Sequence, residues 1–448
     1  MSGTTLLYIA GIVILALGLG LSIALHEIGH LVPAKRFGVR VTQYMIGFGP
    51  TIWSRRRGET EYGVKAIPLG GYIRMIGMYP PHKGDPPDTI REDSTGFFRQ
   101  MSEDAKAFES EQYGPEDQHR TFVALPVWKK LMVMLGGPCM NLLLSIIFFT
   151  VVVSGLGLPA LTTKVSSVSR CVVAADAPAG TNCEGKPAAP AFAAGVRPGD
   201  KIVSLAGKPM SSWQDVSTTA RALPPAPVPM VVERDGKELT LSVTPVVDAR
   251  PVMDSSGRPV KAADGKLLTE KVGFLGIAGT PELIARPITE VPQVVWNTFT
   301  QTGALVLTLP QRMVDIAQAA FGSGTRDPNG PVGVVGVSRL AGEVVSTEAT
   351  GFDFADKAQV LLSMLASLNM ALFVFNLIPL PPLDGGHVAG ALVEGARRMI
   401  ARWRGRPDPG PVDMSRLLPL TNVVALILIG MSVLLVYADL VRPVTLSG

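Results

Sequence analysis

Residues 6–30 read LLYIAGIVILALGLGLSIALHEIGH, an uncharged apolar run that ends in an H-E-x-x-H motif. The apolar part is about 20 residues long, which is the length that an α-helix needs to cross a bilayer. On a helix, His26 and His30 share one face, so both rings can reach the same metal ion. Glu27 is not needed as a ligand and is free to act as a base toward water. The stretch predicts a metal site at the end of a membrane span.

The composition is that of an integral membrane protein. Of the 448 residues, 47% are hydrophobic, and long apolar runs recur along the chain, which is not typical of a soluble enzyme. The net charge of +4 is small and no long basic run occurs, so we predict no nucleic-acid partner. The first apolar run has no preceding Lys or Arg and is too long for a signal-peptide core, so we interpret it as a retained transmembrane helix.

Four apolar stretches are long enough to span a bilayer. Basic residues cluster between the first and second stretches and between the third and fourth. Because basic loops remain on the cytoplasmic side, we expect a multi-pass protein of the inner (cytoplasmic) membrane, with the histidine motif toward the cytoplasm and both termini outside. The predicted segments are 1–32 (first span), 33–128 (cytoplasmic or membrane-associated), 129–160 (second span), 163–247 and 248–355 (both extracytoplasmic), 356–387 (third span), 388–416 (cytoplasmic loop) and 417–440 (fourth span).

The region between the second and third spans is rich in Pro, Gly and Val, with short alternating stretches that predict β-strands. Residues 192–209, FAAGVRPGDKIVSLAGKP, resemble the core of a PDZ domain, and we place this module at 163–247. The alternative is a β-rich spacer without peptide specificity. Residues 248–355 are predicted to be a linker with amphipathic helices. Within it, 291–321 is expected to be interfacial, and a fifth span at about 294–309 is the alternative.

The chain has three cysteines and no C-x-x-C motif, which does not fit a cysteine metal cluster. Cys171 and Cys183 lie close together in the region expected outside the cytoplasm, where disulfides persist. We predict that these two residues form a disulfide.

The third metal ligand does not follow either of the two common soluble patterns. An extended H-E-x-x-H-x-x-G-x-x-H motif would need a histidine where Arg36 stands, and the thermolysin pattern would need a glutamate near Pro50. Asp384 lies at the cytoplasmic end of the third span, on the same predicted side as the two histidines. Buried carboxylates are costly unless they are paired or bound to a metal. We therefore expect Asp384 to complete the site, with Gly385 and Gly386 allowing the backbone to turn.

The two motifs together resemble the site-2 protease family of intramembrane zinc metalloproteases. This family combines H-E-x-x-H in the first span with N-x-x-P-x-P-x-L-D-G in a later one, and the second pattern matches residues 376–385 here. Residues 46–50 and 67–72 are similar to the family's re-entrant membrane β-loop, and 136–141 is similar to its G-P-x-x-N segment. The four-span layout and the PDZ-like insert are similar to the bacterial branch that cleaves anti-sigma factors.

The resemblance implies a polytopic α-helical membrane protein with a re-entrant β-loop at about 44–78 and an extracytoplasmic β-rich domain. It implies Zn²⁺ held by His26, His30 and Asp384, with Glu27 as the catalytic base. Asn376 is expected to contact the substrate backbone or the developing oxyanion. The implied substrates are single-span membrane proteins of the anti-sigma-factor kind, cut after a prior site-1 cleavage.

A transmembrane substrate must unwind before its carbonyl groups become accessible, and the unwound backbone then needs new hydrogen-bond partners. We predict that Gly70, Gly71, Tyr72 and Ile73 offer a strand edge on which the substrate adds as a neighbouring strand.

Two other functions fit the sequence less well. A non-catalytic, membrane-bound binding module would not need an intact Glu27 together with a full set of ligands. A metal transporter would spread polar ligands over several spans and often show internal repeats, and the sequence shows neither. Both alternatives are less consistent with the motif pair than a protease.

Overall fold

The computed structural model describes residues 3–78, 92–94, 115–173, 182–252, 260, 267–322, 326–327, 330–348 and 352–445. The chain divides into two units: residues 1–156 with 286–448, which contain the long helices, and residues 157–285, which contain most of the strands. Each unit has its own buried apolar core.

Among its described residues, the first unit contains helices α1 and α2, three strands that lie between them in sequence, and five further α-helices. Their bounds are α1 Gly3–Arg36, β1 Val41–Arg57, β2 Thr60–Ile76, β3 Glu92–Ser94, α2 Val127–Thr150 with a π-helical extension Val151–Leu156, α5 Val291–Phe321, α6 Val334–Ser346, α7 Phe354–Asn376, α8 Asp384–Trp403 and α9 Leu418–Val441. The second unit contains β4 to β11 and two short helices, α3 and α4.

Within the described residues, four helices are long and apolar enough to cross a membrane: α1, α2 with its extension, α7 and α9. Their outward faces carry large apolar side chains, such as Leu17, Leu426 and Ile427, which are more than half exposed. Apolar side chains on such a surface are stable in hydrocarbon and unfavourable in water. The prediction of a four-span membrane protein with a β-rich region is confirmed at this level.

Two details of the predicted organisation differ from the structure. The third span ends at Asn376, and Asp384 begins the separate helix α8. The predicted cytoplasmic loop at 388–416 therefore starts as a helix that continues to Trp403. Residues 291–321, which were expected to be interfacial, form one continuous helix that is not among the four candidate spans.

Helices α1 and α2 approach each other very closely where two glycines meet. A Cβ atom added to Gly29 would collide with the backbone of Gly136, and one added to Gly136 would collide with the backbone of Gly29. Small residues allow helix backbones in membranes to come into direct contact. This contact lies within the H-E-x-x-H motif itself, so it fixes the position of the motif relative to α2.

Strands β1 and β2 form an antiparallel pair in which β2 folds around the first half of β1. Met45 is paired with Gly63 on one side and with Tyr72 on the other. The hydroxyl of Tyr44 donates a hydrogen bond to the carbonyl oxygen of Ala24 (2.8 Å), which ties the pair to α1. The strand pair occupies the segment where the β-loop was predicted at 44–78.

The second unit is an antiparallel β structure. Its elements are β4 Leu158–Val168, α3 Pro190–Ala193, β5 Lys201–Leu205, β6 Lys208–Pro209, α4 Trp213–Ala222, β7 Val228–Arg234, β8 Lys237–Val243, β9 Val246–Pro251, β10 Thr269–Phe274 and β11 Ile277–Ile284. The main sheet has the order β11-β4-β5-β7-β8, and β9 pairs with β10. The unit extends beyond the predicted boundary at 247 because β11 pairs along β4.

A buried ion pair links β7 to the loop before β5. The carboxylate of Asp200 is almost fully buried and accepts hydrogen bonds from the guanidinium of Arg234 (2.7 and 2.8 Å) and from the backbone N–H of Arg197 (2.8 Å). Burial raises the pKa of this carboxyl, but the hydrogen bonds and the neighbouring arginine charges together lower the pKa by a larger amount. The net pKa therefore lies below its ordinary value.

Candidate active site

His26, His30 and Asp384 meet between helices α1 and α8. Nε2 of His26 lies 3.2 Å from Nε2 of His30, and each of these atoms lies 3.4 Å from Oδ2 of Asp384. In a tetrahedral zinc site with bond lengths of about 2.0–2.1 Å, neighbouring ligand atoms are separated by roughly 3.3–3.4 Å. The three atoms therefore already have the spacing of three corners of a zinc tetrahedron.

The charge and burial of Asp384 also fit a metal site. Its side chain is about 10% exposed, and Oδ2 has no hydrogen-bond partner among the described residues. A buried carboxylate oxygen without a partner is energetically costly, whereas coordination to a cation removes that cost. Two imidazoles and one carboxylate are a common protein ligand set for catalytic zinc.

His30 is oriented by the backbone of α2. Its Nδ1 lies 2.7 Å from the carbonyl oxygen of Val133, an atom that can only accept a hydrogen bond. Nδ1 must therefore carry the proton, which leaves the lone pair of Nε2 directed at Asp384. The ring is fully buried, so this orientation cannot be exchanged for one that faces solvent.

His26 has a side-chain partner on α2. The amide of Asn141 lies 3.1 Å from Nδ1 of His26, and Asn141 is completely buried. Amide oxygen and nitrogen atoms are assigned from the hydrogen-bond network. With the oxygen toward His26, the Nδ1–H of His26 donates a hydrogen bond to Asn141, and this leaves Nε2 free to bind a metal. In the other orientation, Oδ1 is buried without a partner.

Gly137 provides the space in which the ligand atoms meet. A Cβ atom at this position would lie 2.7 Å from Nε2 of His26 and would collide with Nε2 of His30. Any side chain at this position would therefore occupy space next to the metal-binding atoms. Neither the role of Gly137 nor that of the Val133 carbonyl could be read from motif spacing.

A tight turn brings Asp384 to the histidines. Gly385 and Gly386 lie in the first turn of α8, and added Cβ atoms there would collide with the backbone of Ile378 and Pro381. We expected these glycines to let the backbone turn without a side-chain clash, and the structure agrees with this. Neither has a positive φ, so what they contribute is the space in which the start of the helix lies against the preceding backbone.

Glu27 lies beside the metal ligands and against strand β2. Only 5% of its surface is exposed. A Cβ atom added to Gly71 would lie 2.9 Å from Cγ of Glu27 and 3.3 Å from Cγ2 of Ile23. The strand therefore approaches the predicted catalytic base at the glycine where no side chain intervenes.

The remaining predicted strand residues lie on either side of this contact. Tyr72 and Ile73 are buried and paired with Met45 and Tyr44 of β1, and Gly71 is paired with Ile46. Gly70 has a φ of 108°, a conformation that L side chains rarely adopt. The structure thus places the stretch next to Glu27, with one side bonded to β1.

Asn376, Cys171 and Cys183 are the remaining predicted residues, and His387 is a further histidine three residues after Asp384. Asn376 is the last residue of α7 and is partly buried, eight residues before Asp384. His387 is buried on the first turns of α8. In the β unit, the sulfur atoms of Cys171 and Cys183 lie 2.01 Å apart, the distance of a disulfide.

A buried ion pair lies almost three helical turns after Asp384 along α8. Nζ of Lys130 on α2 lies 2.8 and 3.0 Å from the two carboxylate oxygens of Glu394 on α8, and both side chains are less than 5% exposed. A buried charge without its partner is costly. The pair therefore holds α8, the helix that starts with Asp384, against α2. The ion pair has no signature in the local sequence, because the two residues are 264 positions apart.

A two-histidine, one-carboxylate site whose histidines lie on a helix long enough to span a membrane is typical of membrane-embedded metalloproteases. Comparison with protein-family models gives the same class, since peptidase family M50 matches residues 14–406. The chain therefore belongs to the M50, or site-2 protease, family. Among similar proteins, zinc metalloprotease Rip1 of Mycobacterium tuberculosis H37Rv is 34% identical over 98% of this chain and 100% of its own length.

Two further relatives are also named zinc metalloproteases. Zinc metalloprotease Rip1 of Mycolicibacterium smegmatis is 33% identical over 97% of this chain and 98% of its own length. Zinc metalloprotease RasP of Geobacillus kaustophilus is 27% identical over 84% of this chain and 88% of its own length. The chain is a membrane zinc metalloprotease, a metalloendopeptidase with Zn²⁺ as its cofactor.

Proposed function

We propose that this protease cleaves peptide bonds in or near the transmembrane segments of single-span membrane proteins. The observation that carries the proposal is the position of the metal ligands. His26 and His30 directly follow the long apolar stretch of α1, and α1 is itself a candidate span. A peptide bond that reaches these residues must therefore come from within or beside the bilayer.

In the proposed reaction, His26, His30 and Asp384 hold the zinc ion. When bound, zinc supplies Lewis-acid chemistry: it makes water more acidic and stabilises negative charge on the attacked carbonyl oxygen. Glu27 accepts a proton from water as the water attacks the scissile carbonyl carbon, and later donates it to the leaving amine. Asn376 contacts the substrate backbone or donates to the developing oxyanion.

Burial supports the role of Glu27. At 5% exposure its carboxylate is largely removed from solvent, so it exchanges its proton with the water and amine of the reaction rather than with the bulk. The backbone of Gly71 lies against its Cγ. We propose that the substrate backbone lies along residues 70–73, which would place its carbonyl groups near Glu27.

We propose that the protein lies in the inner membrane. The basic segments after α1 and before α9 are then cytoplasmic, and the β unit is extracytoplasmic. The bias of Lys and Arg supports this orientation. Cysteine pairing supports it too, because disulfides persist in oxidising compartments. Peptide mapping without reduction is expected to recover Cys171 and Cys183 as one linked species. Two free thiols in protein isolated under thiol-blocking conditions would contradict this part of the proposal.

We propose that the β unit is a PDZ-like module that controls which substrates reach the site, either by binding newly exposed C-termini or by excluding bulky ectodomains. The chain enters and leaves this unit at neighbouring points, since the backbone N–H of Arg286 donates to the carbonyl oxygen of Val153 (2.8 Å). Residues 157–285 can therefore be replaced by a short Gly-Ser linker. Cleavage of intact, untrimmed substrates by this variant would support exclusion, and loss of cleavage of trimmed substrates would support C-terminal binding.

The proposed substrates are membrane-anchored anti-sigma factors that have already received a first cut outside the membrane. The test uses purified wild type and Glu27→Ala with a panel of trimmed single-span substrates of this kind and unrelated single-span controls. We expect about one zinc per chain in both proteins and cleavage of the trimmed panel by wild type alone. Cleavage by Glu27→Ala at the wild-type rate would contradict the role of Glu27. Zinc-loaded wild type that cleaves only the unrelated controls would contradict the substrate assignment.

A further inference from the structure

Helix α8 extends beyond the helix on which it packs. Its first turn lies at the metal site, Glu394 bonds to Lys130, and a Cβ atom on Gly395 would lie 3.3 Å from Val127, the first residue of α2. The remaining helical residues, 396–403, add about 12 Å of helix after this contact, at 1.5 Å per residue. Because α2 is a candidate span that starts at the contact, we expect this part of α8 at the boundary between membrane and water.

The outward face of α8 at this boundary is apolar and uncovered. Leu392, Val393, Met399, Ile400 and Trp403 fall at helical positions i, i+1, i+7, i+8 and i+11, which form one stripe. All five are exposed, and Trp403 is 84% exposed. The opposite face carries the buried residues that contact α2.

Exposed arginines surround this stripe. Four of them are exposed and have side chains that make no hydrogen bond or ion pair within the part of the chain that the structure describes: Arg397, Arg402, Arg404 and Arg406. Arg398 differs from them, since it is paired with Glu394 and Asp408. The unpaired charges are therefore all positive.

We propose that residues 392–406 form a binding site for anionic phospholipid headgroups. Tryptophan and arginine side chains are favoured at the level of the headgroups, and an apolar stripe bordered by arginines is typical of helices that bind acidic membrane surfaces. A cluster of basic residues beside a span attracts anionic lipids electrostatically. The bilayer is favoured over a protein partner as the occupant because α2 places this segment at the membrane boundary.

Headgroup binding would restrain helix α8, which begins at Asp384. Residues 392–406 belong to the same helix as Asp384 or follow it directly, so lipid bound there restrains the element that supplies the third metal ligand. This consequence rests on the proposed metal role of Asp384. Lipid binding itself does not depend on that role.

The first experiment measures lipid selectivity on the full-length protein. Purified protein is equilibrated with equal amounts of phosphatidylglycerol and phosphatidylcholine, and bound lipid is counted by native mass spectrometry. The test variant carries R397Q, R402Q, R404Q and R406Q. The control variant carries the same number of neutralised exposed cations in the β unit: K164Q, R170Q, K208Q and K237Q.

We expect wild type and the control variant to retain phosphatidylglycerol preferentially. In the test variant, the ratio of bound phosphatidylglycerol to bound phosphatidylcholine should fall by at least about tenfold. Equal retention of the two lipids by wild type, or an unchanged preference in the test variant, would overturn the proposal. Circular dichroism and zinc content check that each variant is folded. We expect the test variant to be folded, because the side chains of the four arginines have no hydrogen-bond or ion-pair partner among the described residues.

A second measurement asks what contacts Trp403. The emission of Trp403 is obtained as the difference between wild type and Trp403→Phe in vesicles with and without brominated phospholipid. Strong quenching of this difference signal supports lipid contact. An unquenched signal would overturn the proposal. Cross-linking of α8 to a second chain would then identify a protein partner in place of lipid. If lipid selectivity is as expected but no substrate is cleaved, the failure lies with the proposed function and not with the lipid site.

Discussion

Replacing Gly137 with alanine is expected to remove zinc from the protein. The new methyl group would lie 2.7 Å from Nε2 of His26, so that ring would have to retreat by about 0.7 Å to restore an ordinary 3.4 Å contact. The ring of His30 would have to move further. Metal–ligand distances tolerate deviations of only about 0.2 Å, so both histidines would leave their coordinating positions.

The expected loss in zinc affinity is at least 100-fold, about 2.7 kcal/mol, because even disturbance of a residue that only orients a ligand costs roughly 10–100-fold. The assay is a competition titration of purified protein against a chromophoric zinc chelator. Gly20→Ala in α1 is the matched control, since no heavy atom lies within 4 Å of its added Cβ. Both substitutions raise helix propensity by about 1 kcal/mol, so a general effect on helices would appear in both variants.

Two results would refute this reasoning. Wild-type zinc affinity in Gly137→Ala would mean that the ligand atoms do not meet next to this glycine, and the three-residue site would then be wrong. Equal loss in Gly20→Ala would mean that the effect comes from the helices as a whole and not from the space between them.

Three other predictions concern buried polar groups. Lys130→Met leaves the buried Glu394 with Arg398, at 3.0 Å, as its remaining cationic partner. It should therefore lower the free energy of unfolding by up to about 3–5 kcal/mol, and adding Glu394→Leu should recover most of it in the same denaturation assay; no recovery would contradict the pairing. Asn141→Leu should weaken zinc binding roughly 10–100-fold in the chelator titration, and unchanged affinity would show that Asn141 does not orient a ligand. Asp200→Asn should reduce hydrogen-exchange protection of the β unit. Because folding lowers the pKa of Asp200, its stabilisation is present above about pH 4 and is lost as the pH falls through the lowered pKa, so wild type and variant should converge in acid. A gap that persists in acid would argue against this charge pair.

The sequence predicted the parts of the site that depend on local spacing. His26 and His30 share a helix face because they are four residues apart, and the number of spans follows because bilayer thickness sets the length of an apolar helix. Asp384 could be predicted because a carboxylate at the end of an apolar stretch needs a partner.

Other parts depend on contacts between residues that are far apart in the chain. Gly137 faces the ligand atoms only because Gly29 and Gly136 let α1 and α2 touch. Likewise, the pairing of Met45 with two separate parts of β2 has no signature in local periodicity. The separate helix α8 was missed because the apolar pattern of the third span continues into the turn before Asp384.

The glycine contact within the motif has a thermodynamic consequence. Gly29 lies between the two histidines in sequence, so the residues that would chelate the metal and the residue that joins α1 to α2 belong to one helical turn. His30 is in turn bonded to Val133 on α2. Free energy released when an ion binds such a site is also free energy of association of the two helices. The apoprotein should therefore be the less rigid form in the membrane, and zinc supply would then govern the amount of folded protein as well as its activity.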